Sequence, residues 1–498
     1  MKVKQNNSVF LISLIVVFAI VIWGLFLPAN FEQTANDLFN FLVGNFGWFY
    51  LISMFSFVAF AVWIALSKYG KIKLGEDDSK PEYSYISWFA MLFSAGMGIG
   101  LVFWGIAEPL NHFVAPLGME GGTAEAASFA MKKSFFHWGL HPWANYSVLA
   151  LALAYMQFRK GKPGLISSVF IPLLGEERVQ GTIGKAIDIL AIFATVAGVA
   201  TSLGLGTLQI NSGLNYMFGI PESGLVQIII VAIVTVLFMI SAISGLDKGI
   251  KLLSNVNVTL ASILVLLTLI VGPTLLIINS LTEGIGMYLG EFIRDSFHIE
   301  AFGNGEWFGG WTIFYWAWWI AWAPFVGTFI ARISKGRTIK EFVGGVLLAP
   351  TLASFIWFAV FGSSAINLGT EIANEAIQST PTAFFVIMNN YPLGGFISIV
   401  AVTLLCTFFV TSADSATFVL GMMSSNGNLN PTNQKKLIWG AVQSALALAL
   451  MLAGGLGMLQ TASIAAAFPF AFVMIFAMVS LVIALRADYK NTLEEKTR

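Results

Sequence analysis

Long runs of apolar residues alternate with short polar segments along almost the whole chain of 498 residues. A helix needs about 20 apolar residues to cross a hydrocarbon core of roughly 30 Å, and about twelve runs come near this length. The predicted helices cover residues 9–27, 50–66, 88–106, 141–156, 187–208, 226–243, 258–278, 312–333, 342–361, 396–422, 438–456 and 464–485. The pattern therefore predicts an all-α integral membrane protein whose solvent is a lipid bilayer.

Basic residues are concentrated in alternate connecting segments, which is typical of segments that face the cytoplasm. With the N-terminus inside, every lysine and arginine except Lys132, Lys133 and Arg294 falls in a cytoplasmic segment. The first apolar run lacks a small-residue cleavage site, so we interpret it as a retained helix rather than a signal peptide. These features predict a multi-pass protein of the cell membrane with both termini cytoplasmic.

Composition and motifs narrow the class of protein. Only 10% of the residues are charged, against about 25% in typical soluble domains, and the formal net charge of zero gives no reason to expect a nucleic-acid partner. No HExxH or nucleophile motif indicates an enzyme, and no cofactor is expected. A channel is disfavoured because no charged ring or filter motif is present.

Two predicted helices contain residues that interrupt helical backbone, at 96–100 (GMGIG) in the third and at 324–327 (PFVG) in the eighth. They lie five helices apart, so the second crosses the membrane in the opposite sense, as in an inverted repeat. Close helix packing through small residues is the alternative explanation. The predicted organisation is a tail with two extra helices (1–85), a first five-helix repeat (86–281), an amphipathic connecting helix (282–306), a second inverted five-helix repeat (307–486) and a cytoplasmic tail (487–498).

The eighth predicted helix is rich in tryptophan, with five of the 15 tryptophans between residues 311 and 322. Interfacial belts place tryptophan at helix ends, whereas Trp318, Trp319 and Trp322 fall near the middle of this run. A quaternary ammonium group donates no hydrogen bond and is held by aromatic faces, for which tryptophan is the best side chain. The segment therefore predicts a site for such a cation.

A second aromatic group, Trp138, Trp143 and Tyr146, lies at the start of the fourth predicted helix. It fits either an interfacial anchor or further walls of the same cation site. His137 and His141 are four residues apart, a spacing that suits a metal, but no other histidine or cysteine is near in the sequence. A packing role at the helix end is favoured for the two histidines.

The tenth predicted helix carries polar residues at membrane depth. Asp414 lies well inside an apolar run, and a gate, a packing role and an ion site remain open for it. Thr411 and Ser412 offer hydroxyl oxygens, which suit a hard cation such as sodium without a carboxylate.

These motifs together resemble the betaine/carnitine/choline transporter family over essentially the whole chain. The resemblance is carried by the segment 96–100 followed by Glu108 and Pro109, the segment 311–325 with 331–337, and the segment 408–415. It implies a LeuT-like fold of two inverted five-helix repeats preceded by two extra helices, alternating access around a central site, and a homotrimer.

The resemblance also implies roles for individual residues. The aromatic box would consist of Trp138, Trp143, Tyr146 and Trp319, with Trp318 and Trp322 along the pathway. One sodium site would use backbone oxygens near Ser94, Met97 and Phe408 and the hydroxyls of Thr411 and Ser412. A second sodium site would use Thr195 and Phe325, but this chain has Val199 where the family has another threonine, which removes a ligand.

The expected activity is sodium-coupled uptake of glycine betaine or a related quaternary ammonium compound as an osmoprotective compatible solute. Two alternatives stay open, a sodium-independent exchanger of carnitine-like solutes and a proton-coupled choline transporter. Proton-coupled relatives tend to have an acid at the last glycine of the interrupted third helix, whereas this chain has Gly100.

Overall fold

The computed structural model describes residues 7–96, 98–244, 246–303 and 305–497, without the side chains of residues 94–96, 244, 246–252 and 491–497. The described chain is all-α, as predicted. The helices are α1 (Ser8–Phe26), α2 (Pro28–Leu66), α3 (Tyr85–Gly96), α4 (Ile99–Val114), α5 (Ala124–Trp138), α6 (Leu140–Ala154), α7 (Ile171–Leu174), α8 (Glu176–Gln180), α9 (Thr182–Phe218), α10 (Gly224–Ser244), α11 (Leu246–Val271), α12 (Thr274–Phe297), α13 (Glu306–Phe308), α14 (Phe314–Arg332), α15 (Ile339–Ile366), α16 (Gly369–Ile377), α17 (Ala383–Asn389), α18 (Gly394–Met423) and α19 (Asn433–Thr497).

Nine helices in the described part of the chain are long and apolar enough to cross a membrane. The third predicted span is divided between α3 and α4, and the fourth corresponds to α6. Helix α19 runs through the last two predicted spans and is kinked at Gly454 and Gly455. The number twelve remains a prediction. The most buried spans are α14 with its preceding turn and α9, in which 89% and 83% of the apolar window is covered. They form the centre of the bundle.

The third predicted span is interrupted as expected. Helix α3 ends at Gly96 and α4 begins at Ile99, and Gly98 between them has non-helical backbone angles (φ −139°, ψ −140°). This break frees backbone groups that a continuous helix would pair internally.

The fourth predicted span lies within α6 and the π-helical turn Tyr155–Arg159 that follows it, and a break precedes it. Gly139 separates α5 from α6 with φ −89° and ψ −132°. A Cβ atom at this position would lie 2.8 Å from the hydroxyl of Tyr288, so only glycine fits. The Tyr288 hydroxyl accepts a hydrogen bond from the Leu140 backbone N–H at 3.0 Å, which satisfies a free donor at the start of α6.

The predicted break at 324–327 is wrong. Helix α14 is continuous from Phe314 to Arg332 with Pro324 inside it. An interior proline removes one backbone donor and crowds the preceding turn, at a cost of about 3 kcal/mol. Helix α14 nevertheless continues through Pro324, among buried neighbours on both sides. The irregular backbone lies before α14 instead, in a π-helical turn at Gly309–Ile313. The inverted repeat therefore remains a prediction.

The amphipathic helix is present as α12, which begins at Thr274 rather than at 282 because Pro273 ends the preceding span. Tyr288 is buried on its inner face, while Leu289 and Ile293 are exposed. This helix also carries the acidic partners of two of the three basic residues that lie outside the predicted cytoplasmic segments. On α5, Lys132 pairs with Glu291 at 2.6 Å and Lys133 with Asp295 at 2.9 Å.

Candidate substrate and ion sites

The structure brings the predicted aromatic residues together from three helices. Trp138 is the last residue of α5, Trp143 and Tyr146 lie on α6, and Trp318, Trp319 and Trp322 lie on α14. The ring centre of Trp319 is 4.8 Å from that of Trp138, 6.4 Å from that of Tyr146 and 4.8 Å from that of Trp318. We call these six residues the aromatic cluster. Each is at most 5% exposed, so the cluster is an internal feature and not an interfacial belt.

Backbone carbonyls and one carboxylate orient three of the indoles. The indole N–H of Trp319 donates to the His137 carbonyl at 3.0 Å, and that of Trp322 donates to the Gly198 carbonyl at 2.7 Å. The indole N–H of Trp138 donates to Glu108 at 2.8 Å. Each bond joins two different helices, so the tertiary structure sets the ring orientations.

Two donors in the cluster have no hydrogen-bond partner among the described residues, the indole N–H of Trp318 and the hydroxyl of Tyr146. Both side chains are 1% exposed. A buried donor without a partner costs about 1–3 kcal/mol. The cluster can therefore offer hydrogen bonds to an acceptor as well as aromatic faces to a cation.

Helix α4 reaches the cluster at Gly100. A Cβ atom on Gly100 would lie 2.4 Å from the Trp318 ring and 3.2 Å from the Trp138 ring. Any side chain here would displace Trp318, which is rigid and fully packed. This glycine is thus required by the close approach of the two helices, and it leaves no space for an acid.

Glu108 is a functional candidate to which sequence reasoning assigned no role, although the residue was part of the motif that carried the resemblance. Its side chain is completely buried and accepts from the Trp138 indole and from the Tyr315 hydroxyl at 2.5 Å, and it lies 2.7 Å from His137 Nδ1. These partners lie on α5 and α14. The carboxylate consequently ties α4 to both helices that form the aromatic cluster.

The candidate sodium residues on α18 face neighbouring helices. The Thr411 hydroxyl is 3.1 Å from the Phe408 carbonyl. The Ser412 hydroxyl lies 3.5 Å from the position that a Cβ atom on Gly98 would occupy, so it faces the break between α3 and α4. Met97 and the side chain of Ser94 lie outside the described residues.

Asn257 of α11 is a further polar residue at this position that the sequence did not single out. It is 2% exposed and donates its amide N–H to the Thr411 hydroxyl at 2.9 Å. No described residue hydrogen-bonds its amide oxygen. A buried amide oxygen on the residue that contacts the Thr411 hydroxyl adds a hard oxygen donor of the kind that sodium prefers.

The candidate second sodium site has few free oxygens. The Thr195 hydroxyl donates to the Ala191 carbonyl at 2.8 Å, and Val199 is buried one turn later. Thr201, a possible substitute, is directed towards α19, where its hydroxyl contacts the Leu459 carbonyl and the Ser463 hydroxyl. Phe325 packs against Trp322 with ring centres 5.5 Å apart.

Asp414 is turned away from the candidate sodium residues. Its carboxylate accepts from Ser241 of α10 at 2.5 Å and is 1% exposed. Thr411, one turn earlier, instead contacts α11 through Asn257. The two polar residues of α18 therefore contact different helices.

Comparisons with known proteins agree with this geometry. The family model described as "BCCT, betaine/carnitine/choline family transporter" matches residues 8–490. The glycine betaine transporter OpuD of Bacillus subtilis is 52% identical over 493 residues, which cover 98% of this chain and 96% of the relative. A probable glycine betaine transporter of Desulfitobacterium hafniense is 48% identical, with 98% and 99% covered. An ectoine/hydroxyectoine transporter of Virgibacillus pantothenticus is 45% identical, with 99% of both chains covered.

A match of this extent and identity, together with the buried aromatic cluster and the apolar helices, settles the class. The relatives are named as transporters, so the protein is a carrier and not an enzyme. The chain belongs to the betaine/carnitine/choline transporter family and is a multi-pass membrane transporter of compatible solutes.

Proposed function

We propose that the protein couples the inward movement of sodium to the uptake of glycine betaine or a closely related quaternary ammonium compound. The observation that carries the proposal is the aromatic cluster. Its tryptophans and Tyr146 are buried aromatic rings from three helices, and cation–π attraction is strongest where the rings are shielded from water. We further propose that it acts in osmoprotection, in the cytoplasmic membrane with both termini inside, as a homotrimer.

The unpartnered donors of the cluster favour a substrate with a carboxylate. A betaine has a cationic trimethylammonium end for the rings and an anionic end that can accept from Trp318 and Tyr146. Charge-assisted hydrogen bonds of this kind are about twice as strong as neutral ones. Choline has no such group, and we therefore expect it to bind more weakly than glycine betaine.

Sodium coupling is supported by the oxygen atoms around Thr411. A cation bound at the break between α3 and α4 would stabilise the backbone next to Gly100, which contacts the cluster. Sodium and substrate would thus share one structural element, which allows each to raise the affinity of the other. The proton-coupled alternative is disfavoured because the Trp318 ring fills the space that an acid at position 100 would need.

Uptake of radiolabelled substrate into proteoliposomes tests the proposal. We expect glycine betaine to accumulate with an inward sodium gradient and not with an equal potassium or proton gradient. Equal accumulation with all three gradients, or counterflow that needs no cation, would support the carnitine-type exchanger instead. A parallel binding titration with glycine betaine, carnitine, choline, a sulfonium analogue and ectoine would identify the preferred solute.

The role of Asn257 can be tested by the variant Asn257→Ala. We expect the sodium concentration for half-maximal uptake to rise about 5- to 30-fold, because a ligand or the bond that orients Thr411 is lost, at about 1–2 kcal/mol. Asn255→Ala is the matched control, since Asn255 is exposed two residues earlier on the same helix. Equal sodium dependence in the two variants would exclude Asn257 from the site.

A further inference from the structure

A cluster of potential metal ligands lies beside the aromatic cluster, in the C-terminal half of α4. It consists of Glu108 and His112 of α4 and His137 of α5, and all three side chains are completely buried. One ligand atom from each lies within 4.8 Å of the other two. We propose that these residues form a binding site for a divalent transition metal of the zinc class, and that the bound metal weakens substrate binding.

The two carboxylate oxygens of Glu108 contact different residues, and one of them is available to a metal. One oxygen accepts from Trp138 and Tyr315. The other lies 2.7 Å from His137 Nδ1 and 3.4 Å from His112 Nε2. Zinc bonds of about 2.0–2.1 Å in tetrahedral geometry place ligand atoms about 3.3 Å apart. The distance to His112 already matches, and the contact with His137 needs to lengthen by roughly half an ångström.

His112 supplies the independent indication of a ligand. Neither of its ring nitrogens makes a hydrogen bond with a described residue, and Nε2 lies 3.4 Å from Glu108. The ring packs against Trp311 and Trp307, with centres 4.5 and 5.1 Å apart. A buried polar atom without a partner costs about 1–3 kcal/mol, and the lone pair of a neutral imidazole is what a metal of this class requires.

The remaining parts of the site also suit a metal. The second nitrogen of His137 lies 2.9 Å from the Thr312 hydroxyl, and such a bond orients a metal-ligating imidazole. The nearby cation Lys133 is paired with Asp295 at 2.9 Å, which offsets its charge. Three protein ligands would leave a fourth position for water.

The expected effect on the substrate follows from charge. Glu108 accepts a hydrogen bond from the indole of Trp138, a member of the aromatic cluster, so a divalent ion on Glu108 would lie next to the cluster. Two cations repel strongly in a poorly screened interior. Metal and substrate should therefore weaken each other by the same factor, because coupling between two sites is reciprocal. This second statement rests on the proposed function, whereas metal binding does not.

Cobalt(II) titration of the purified transporter in detergent, without substrate, tests the site. We expect about one Co²⁺ per chain with the absorption bands of tetrahedral coordination, which zinc abolishes. His112→Leu should lose these bands and bind zinc more than about 10-fold more weakly. His141→Leu and His298→Leu are matched controls, and both should keep the bands, since His141 contacts Ser296 and lies outside the cluster.

Bands that persist in a folded His112→Leu protein, or their absence from the unaltered protein, would overturn the metal site. If His112→Leu fails to fold, the wild-type titration together with the two control variants still decides between this site and the other histidines. The coupling is tested by the substrate dissociation constant with and without saturating zinc. We expect zinc to increase this dissociation constant in the unaltered protein and in His141→Leu. A constant that zinc leaves unchanged would contradict the coupling but not the metal site.

Discussion

Replacement of Glu108 by glutamine should abolish most substrate uptake and lower the melting temperature of the purified transporter. The carboxylate accepts from Trp138 and Tyr315 and contacts His137, all in a fully buried environment. Glutamine keeps one acceptor oxygen and places an NH2 group against donors. Each buried donor that loses its acceptor costs about 1–3 kcal/mol, a large share of a total stability of about 5–15 kcal/mol.

The measurement combines uptake in proteoliposomes with thermal unfolding in detergent. Glu375→Gln is the control, because Glu375 is an exposed residue of α16 and should behave as the unaltered protein. A Glu108→Gln protein with normal melting and normal uptake would show that the carboxylate neither holds the three helices together nor orients Trp138.

Replacement of Trp319 by alanine should raise the dissociation constant for glycine betaine about 2- to 30-fold, which corresponds to the loss of one cation–π wall of about 0.5–2 kcal/mol. Trp319 lies at the centre of the aromatic cluster, since its ring contacts those of Trp138 and Trp318 and faces Tyr146. Trp319→Phe keeps an aromatic face and should cause a smaller loss. Trp322→Ala should also exceed Trp322→Phe in its effect.

Binding is best followed by quenching of tryptophan fluorescence and checked by calorimetry. Trp48→Ala is the control, because Trp48 is 52% exposed on α2, away from the cluster. If the Trp319 and Trp322 alanine variants both bind betaine as tightly as the Trp48 variant, the cluster is not the substrate site and the proposed function loses its main support.

The two candidate sodium ligands on α18 show which site residues can be predicted from the sequence alone. Thr411 and Ser412 could be identified because hydroxyls at membrane depth are conspicuous in an apolar run. Asn257 could not, since it lies more than 150 residues earlier in a segment whose polar residues resemble an ordinary helix end. Only the packing of α11 against α18 places its amide against Thr411.

The histidines illustrate the same limit. The spacing of His137 and His141 suits a metal, although the sequence favours a packing role, and the break at Gly139 separates these residues onto α5 and α6. His141 bonds to Ser296, while His137 meets Glu108 and His112 of another helix. Residues four positions apart share a helical face only where the helix between them is continuous.

The all-α membrane class could be predicted from the sequence, because it depends on the length of the apolar runs. The proposed quaternary-cation site could also be predicted, because it depends on which side chains can hold such a cation. Tertiary structure decided which helix is broken and which is continuous at proline, since the packing around Pro324 outweighs the loss of a single hydrogen bond. It also decided the partners of Glu108, His112 and Asn257. A buried polar side chain is defined by the atoms that surround it, and those atoms come from helices that the linear order keeps far apart.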